Sequence, residues 1–311
     1  MFSDEFGRLI TAIVTPFKED LSVDLDSLEK IIDSIIEQKT TSILVNGTTG
    51  ESPNLNLREK LKLLSFIKQV SGKQAKVIFG VCLNSTSQTI ELAKEASKNK
   101  ADAILVISPY YNKPNQEGLY LHFSEIAKEI NLPIMLYDIP GRTGVRISTE
   151  VLQKLLKKHK NIQAIKESPG DLFDKTVQEI PFLSEIYNFQ AYSGDDALTL
   201  PLLSLGYVGA VSVASHLVGK QIFEMIELFL EKKEPSKALY IHRELLELNQ
   251  LLFQSPSPGP IKYALNLEGL CENYLTKLPI TEPKEELKKS LRNCLLKLKV
   301  KFKETKGLIQ A

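Results

Sequence analysis

The chain has 311 residues, 43% apolar and 25% charged, the balance of a globular protein whose core needs neither disulfides nor metal. Its 39 basic and 38 acidic side chains leave a net charge of +1, so no overall field draws it to nucleic acid or to an anionic membrane. No stretch reaches the roughly 18 apolar residues of a membrane span, and Met1–Phe6 lacks the basic and apolar regions of a signal peptide; a cytoplasmic location is expected.

From the N-terminus onward, short apolar runs alternate with amphipathic stretches. The strand candidates are Thr11–Pro16, Ser42–Gly47, Lys76–Cys82, Ala103–Pro109, Pro133–Pro140, Ile162–Ser168, Phe189–Asp195 and Gly209–Ser215. Each is apolar enough to be covered on both faces, as parallel strands are. Apolar spacing predicts helices over Leu25–Gln38, Leu55–Val70, Thr86–Lys100, Leu119–Ile130, Thr149–His159 and Leu217–Lys233, with Ser85 and Ser148 as N-caps. Eight such alternations predict an α/β chain folded as a (β/α)8 TIM barrel over residues 1–233. An open doubly wound sheet would want a Gly-x-Gly-x-x-Gly turn after its first strand, and Pro16–Asp20 holds no glycine. Residues 234–311 read as a C-terminal helical extension. A helix over Pro235–Phe253 is followed by a break at Ser255–Pro260. A last helix over Pro283–Lys306 aligns Leu287, Leu291, Leu295, Leu298 and Phe302 on one stripe, with its lysines as the solvated face.

Cys82, Cys271 and Cys294 are odd in number and share no redox or metal-like spacing, so no disulfide framework is implied. The histidines are His122, His159, His216 and His242, none in a His-Glu-x-x-His pair, so no histidine-built zinc site is expected.

Barrels of this kind do their chemistry at the C-terminal ends of the strands. There the second candidate gives Gly47-Thr48-Thr49-Gly50-Glu51 and the fourth gives Pro109-Tyr110-Tyr111-Asn112. The fifth gives Tyr137-Asp138-Ile139-Pro140-Gly141-Arg142-Thr143-Gly144, the sixth Ile165-Lys166-Glu167, and the seventh Ser193-Gly194-Asp195-Asp196. Lys166 ends an apolar strand, where lost hydration disfavours the ammonium form and frees an amine to attack a carbonyl. Singly each has a bland reading. Lys166 reads as an edge lysine with its head in water, Arg142 as a surface ion pair, the threonines as an ordinary turn. The aspartates read as turn and cap residues and the tyrosines as core aromatics. Their convergence on one rim favours chemistry: hydroxyls and backbone N–H groups for a carboxylate, a phenol at Tyr137 for proton transfer, and a guanidinium to clamp a second carboxylate.

These motifs, in this order over most of residues 8–265, resemble the dihydrodipicolinate synthase and N-acetylneuraminate lyase superfamily of Schiff-base aldolases. Arg142, in a Pro-x-Arg-Thr-Gly loop, is similar to the synthase branch, which opens diaminopimelate and lysine biosynthesis. The resemblance implies that Lys166 forms an imine with pyruvate while Thr48 and Thr49 hold its carboxylate. Tyr137, Thr48 and Tyr111 then relay protons, and Arg142 holds aspartate semialdehyde. It also places Gly194 and Val211 against the substrate, and Tyr111 across a subunit interface in a homodimer or homotetramer. No metal or organic cofactor is implied, because the imine is itself the electron sink.

Three positions depart from the family pattern: Asp138 where many members carry Asn, Pro169 after the lysine strand, and Ser257 where some relatives carry Asn. The positions matching a lysine-inhibition site in some relatives are Ser52, Pro53, Leu57, Lys60, Asn84, Gln88 and Tyr110, a set short of carboxylates. The rival readings are an aldolase of 2-keto-3-deoxy sugar acids or N-acetylneuraminate, against which Arg142 argues, and a catalytically silent barrel, which would have lost Lys166, Tyr137 or the threonines.

Overall fold

Strands that are apolar on both faces must be enclosed by helices, and the chain meets that demand by closing its sheet on itself. The structure, a computed structural model, describes residues 6–304. In chain order they form β1 (Leu9–Ala12), α1 (Leu25–Glu37), β2 (Ser42–Val45), α2 (Leu57–Ser71), β3 (Lys76–Gly80), α3 (Thr86–Lys98), β4 (Ala103–Ile107) and α4 (Gln116–Glu129). There follow β5 (Ile134–Asp138), α5 (Pro140–Thr143), α6 (Thr149–Lys158), β6 (Ile162–Glu167), α7 (Lys175–Ile186), β7 (Gln190–Ser193), α8 (Thr199–Ser204), β8 (Gly209–Ser212) and α9 (Ser215–Leu230). The chain then runs through α10 (Pro235–Leu251), α11 (Gly259–Leu267) and α12 (Glu285–Glu304). All strands pair in parallel with their neighbours, and β8 closes on β1 through Val211 opposite Ile10. The predicted TIM barrel is present.

Period-2 alternation splits the strand side chains into two cores. Ile10, Leu44, Ile78, Leu105, Met135 and Tyr192 fill the barrel interior. Ile43, Val77, Phe79, Ile104 and Leu136 face outward into the helix layer. Beyond the barrel, α10 packs along α9, and α12 lies against α10 and α11.

The differences from expectation are local. All eight predicted strands run on into loops, because a ladder ends where its neighbours stop pairing rather than where the apolar run ends; β1 also begins two residues earlier, at Leu9. Asn56 and Asn115 are the true N-caps of α2 and α4: their side chains accept from Glu59 N and Gly118 N, setting starts at Leu57 and Gln116 instead of Leu55 and Leu119. Ser148 caps α6 as expected, accepting from Val151 N, but the Ser85 hydroxyl gives no cap and meets Ser87 Oγ at 3.2 Å instead. The α12 stripe is buried as predicted from Leu287 to Leu298, but Lys288 is not on the solvated face. It is 8% exposed, and its ammonium donates to Glu285, Glu282 and the Tyr274 hydroxyl. The predicted end at Lys306 lies outside the described residues.

Candidate active site

Lys166 is the penultimate residue of β6 and stands opposite Tyr137 in the β5–β6 register. Both point into the barrel, and Lys166 Nζ lies 4.3 Å from the centroid of the Tyr137 ring. Lys166 is 7% exposed, and among the described residues no carboxylate pairs with it. The room for its stem comes from Gly194 at the end of β7. A Cβ there would sit 2.9 Å from Lys166 Cε and 2.3 Å from Ser168 Oγ, closer than carbon tolerates.

The turn after β2 supplies the opposite wall. Gly50 N donates to Gly47 O, Glu51 N to Thr48 O, and Thr15 Oγ1 to Gly50 O at 2.7 Å. These bonds curl the backbone so that Thr48 and Thr49 face the cavity. Among the described residues nothing accepts from the N–H or hydroxyl of either threonine, so an unspent set of donors faces the lysine.

Arg142 stands at the mouth on α5, which begins with Pro140 and ends at Gly144 (φ +72°). It is exposed, and no described acid pairs with it, so the surface ion pair considered above does not form. Arg146, four residues on, has the opposite fate. Its Nη1 meets Glu167 Oε1 at 3.2 Å and Asp138 Oδ2 at 3.8 Å, and its Nε meets Asp174 at 3.3 Å. Asp138 and Glu167 are the outward-facing register partners directly behind Tyr137 and Lys166. Burial raises the pKa of both carboxyls above the usual carboxylate range, with Arg146 opposing the shift.

Together Thr48, Thr49, Tyr137, Arg142, Lys166 and Gly194 line one cavity of about 160 Å³. That is below the roughly 300–1,000 Å³ of pockets for drug-sized ligands, and suits a molecule of a few carbons. Residues 5–298 match the model of the dihydrodipicolinate synthetase family. This chain belongs to that family. A 4-hydroxy-tetrahydrodipicolinate synthase from Desulforamulus reducens is 43% identical over 297 residues, covering 95% of this chain and 98% of its own. The lysine-bound crystal structure of the dihydrodipicolinate synthase from Cyanidioschyzon merolae superposes with a TM-score of 0.89 at 41% identity, covering 94% of this chain and 98% of its own. The pyruvate complex of the Acinetobacter baumannii enzyme gives 0.87 at 38% identity, covering 93% and 97%.

Two residues expected at the site stand elsewhere in the single chain. Val211 is 2% exposed and packs in the barrel interior, and Val213, two residues on and just past β8, lines the cavity instead. Tyr111 is 91% exposed in a left-handed conformation (φ +72°), away from the cavity wall. Asp195 and Asp196 serve structure as expected: Asp195 caps Ala197 N, and Asp196 Oδ2 accepts from Val213 N and Ala214 N. The sequence reading did not place Ser168 or Phe253 at the site, and it named Ser257 only as a departure from the family pattern. Ser168 lies beside the lysine, and Phe253 and Ser257 come from the segment after α10 to wall the mouth. Cys82 also lines the cavity, but burial pushes its thiol up to about 12, so it is no nucleophile near neutral pH.

Proposed function

We propose that this chain condenses pyruvate with L-aspartate 4-semialdehyde to 4-hydroxy-tetrahydrodipicolinate, the first committed step of diaminopimelate and lysine biosynthesis. The observation that carries the reading is the pairing of a buried lysine with a free threonine turn, under an arginine that no protein acid engages. Pyruvate lays its carboxylate on the donors of Thr48 and Thr49, with Gly194 beside it and Val211 beneath. Lys166 attacks the ketone, water leaves, and an imine forms. Tyr137, with Thr48 and Tyr111, moves a proton from the methyl carbon to give the enamine. The enamine carbon attacks the aldehyde of the semialdehyde, whose carboxylate Arg142 holds. The semialdehyde's own amine then closes the ring on the imine carbon and releases Lys166. The small cavity and Arg142 disfavour a sugar acid or N-acetylneuraminate, and intact machinery disfavours a silent barrel. A coupled assay offering semialdehyde and sugar acids in turn with pyruvate tests this; turnover only with a sugar acid would overturn it. We place the enzyme in the cytoplasm, where three free cysteines are chemically at home.

The exposure of Tyr111 supports a homodimer, or a homotetramer built from it, in which each Tyr111 completes the neighbour's site. A solvent-facing aromatic held at φ +72° is costly unless something covers it. Two weak variants, Tyr111→Phe and Lys166→Arg, should complement when mixed and reassembled, because one hybrid site then holds both intact residues. Activity no higher than the mean of the parents would show that Tyr111 serves its own subunit.

We also infer that L-lysine inhibits this enzyme weakly or not at all. Leu57, Lys60 and Gln88 share the wall of a second cavity. Gln88 lacks the carboxylate an ammonium needs, and Lys60 brings a donor where an acceptor is wanted. Asn84 Nδ2 is turned to the Tyr110 carbonyl at 3.2 Å. Millimolar L-lysine should change the rate little or not at all; marked inhibition at that level would mean that Ser52, Asn84 and Tyr110 suffice.

A further inference from the structure

Lys262 sits in α11 between Ile261 and Tyr263, where a lysine is 1% exposed. Such a residue is tolerated only when its charge is met, and the charge that meets it is Glu51, 211 residues away. Lys262 Nζ donates to Glu51 Oε1 at 2.5 Å and to the Leu275 carbonyl at 2.8 Å, and lies 4.0 Å from the Phe17 ring centroid. The second Glu51 oxygen accepts from Lys277 N at 2.8 Å. Burial pulls the ammonium down to about 8, even though the Glu51 carboxylate opposes that pull.

Neither residue lines the cavity. Yet Glu51 closes the Thr48–Thr49 turn, since its N–H donates to Thr48 O, and its left-handed backbone (φ 55°) is a conformation that something must hold. Both of its carboxylate oxygens are spent on the segment after the barrel. A pair needed only to fill space could be apolar at equal stability. This one instead ties the donor turn in a fixed direction to α11 and residues 275–277.

We propose that Glu51 and Lys262 are positioning residues of the active site: through their ion pair the C-terminal segment aims the donors of Thr48 and Thr49 at the keto-acid carboxylate. The proposal rests on the reading that this turn holds pyruvate. Misplacing a binding group by about 1 Å costs on the order of 10²-fold, so a loosened turn is felt first in pyruvate binding.

The test compares Glu51→Gln, Lys262→Met and the double variant with Thr49→Val, all checked for folding by circular dichroism. Glu51→Gln and Lys262→Met should each raise the KM for pyruvate roughly tenfold or more. The pyruvate concentration that half-saturates borohydride trapping of Lys166 should rise by the same factor. The KM for the semialdehyde should stay put, and the double variant should be no worse than either single one, because both act through one pair. Should Lys262→Met fold poorly, the isosteric Glu51→Gln decides alone. Folded Glu51→Gln with wild-type pyruvate KM, beside a Thr49→Val variant whose KM has risen, overturns the positioning role and leaves the site reading intact. If Thr49→Val also binds pyruvate normally, the reading of the turn falls and the proposal with it.

Discussion

Lys166→Arg abolishes condensation, with an expected loss on the order of 10⁴-fold or more, the scale of removing a covalent nucleophile. Imine formation needs a nitrogen lone pair, and a guanidinium keeps its proton at any pH the protein survives. Position adds to chemistry. The Lys166 stem runs past Gly194 with no space for a Cβ, so a broader, planar head cannot settle where Nζ now lies. The cavity beside Lys166 leaves a displaced side chain somewhere to lie, so the variant should remain folded. Mass spectrometry after borohydride and pyruvate checks the assignment directly. Wild-type protein should gain a stable mass on the peptide bearing Lys166, and Lys166→Arg should gain none. A label on any other lysine would remove Lys166 from its role.

The barrel was legible because every strand candidate is mostly apolar, and that pattern survives errors of two or three residues at each end. Four helices were not. Pro140–Thr143 is a single turn, and Thr199–Ser204 is nearly as short. Lys175–Ile186 carries Pro181 in its interior, which reads as a stop. Gly259–Leu267 opens with Gly259-Pro260, taken from sequence as the tail of a break, although proline is at home in a helix's first turn. At the site, motif residues at strand ends were found because topology alone brings them to one rim. Phe253 was not, and Ser257 was noticed only as a departure from the family pattern, since their place depends on how the segment after the barrel folds back. Lys262 was invisible for the same reason: only a tertiary partner shows that a helix lysine is buried. Gly194 was placed by resemblance, and the close passage of the Lys166 stem gives its physical reason. Val211, also placed by resemblance, lies deeper in the barrel interior, and Val213, two residues on, lines the cavity above it.

Arg142→Ala separates the two halves of the reaction. The guanidinium is held at the mouth by a loop that fixes itself: Arg142 N and Thr143 N donate to the Ile139 carbonyl, and the Thr143 hydroxyl donates to Ile139 O and Val145 O. The loop does not need the arginine side chain, which among the described residues has no protein acid to pair with. Removing it should therefore cost little stability. What it should cost is the second substrate. A charge-assisted, desolvated pair with a carboxylate contributes roughly 2–5 kcal/mol, so kcat/KM for aspartate semialdehyde should fall by some tens to thousands. Borohydride trapping with pyruvate should persist at wild-type pyruvate concentrations, because Lys166, Thr48 and Thr49 lie deeper and are untouched. Arg142→Lys should recover only part of the loss, since an ammonium keeps the charge and gives up the two-pronged geometry. The split between the half-reactions is what carries the assignment. If trapping and turnover fell together, Arg142 would be holding the cavity's shape, and selection of the second substrate would have to lie with another residue at the mouth.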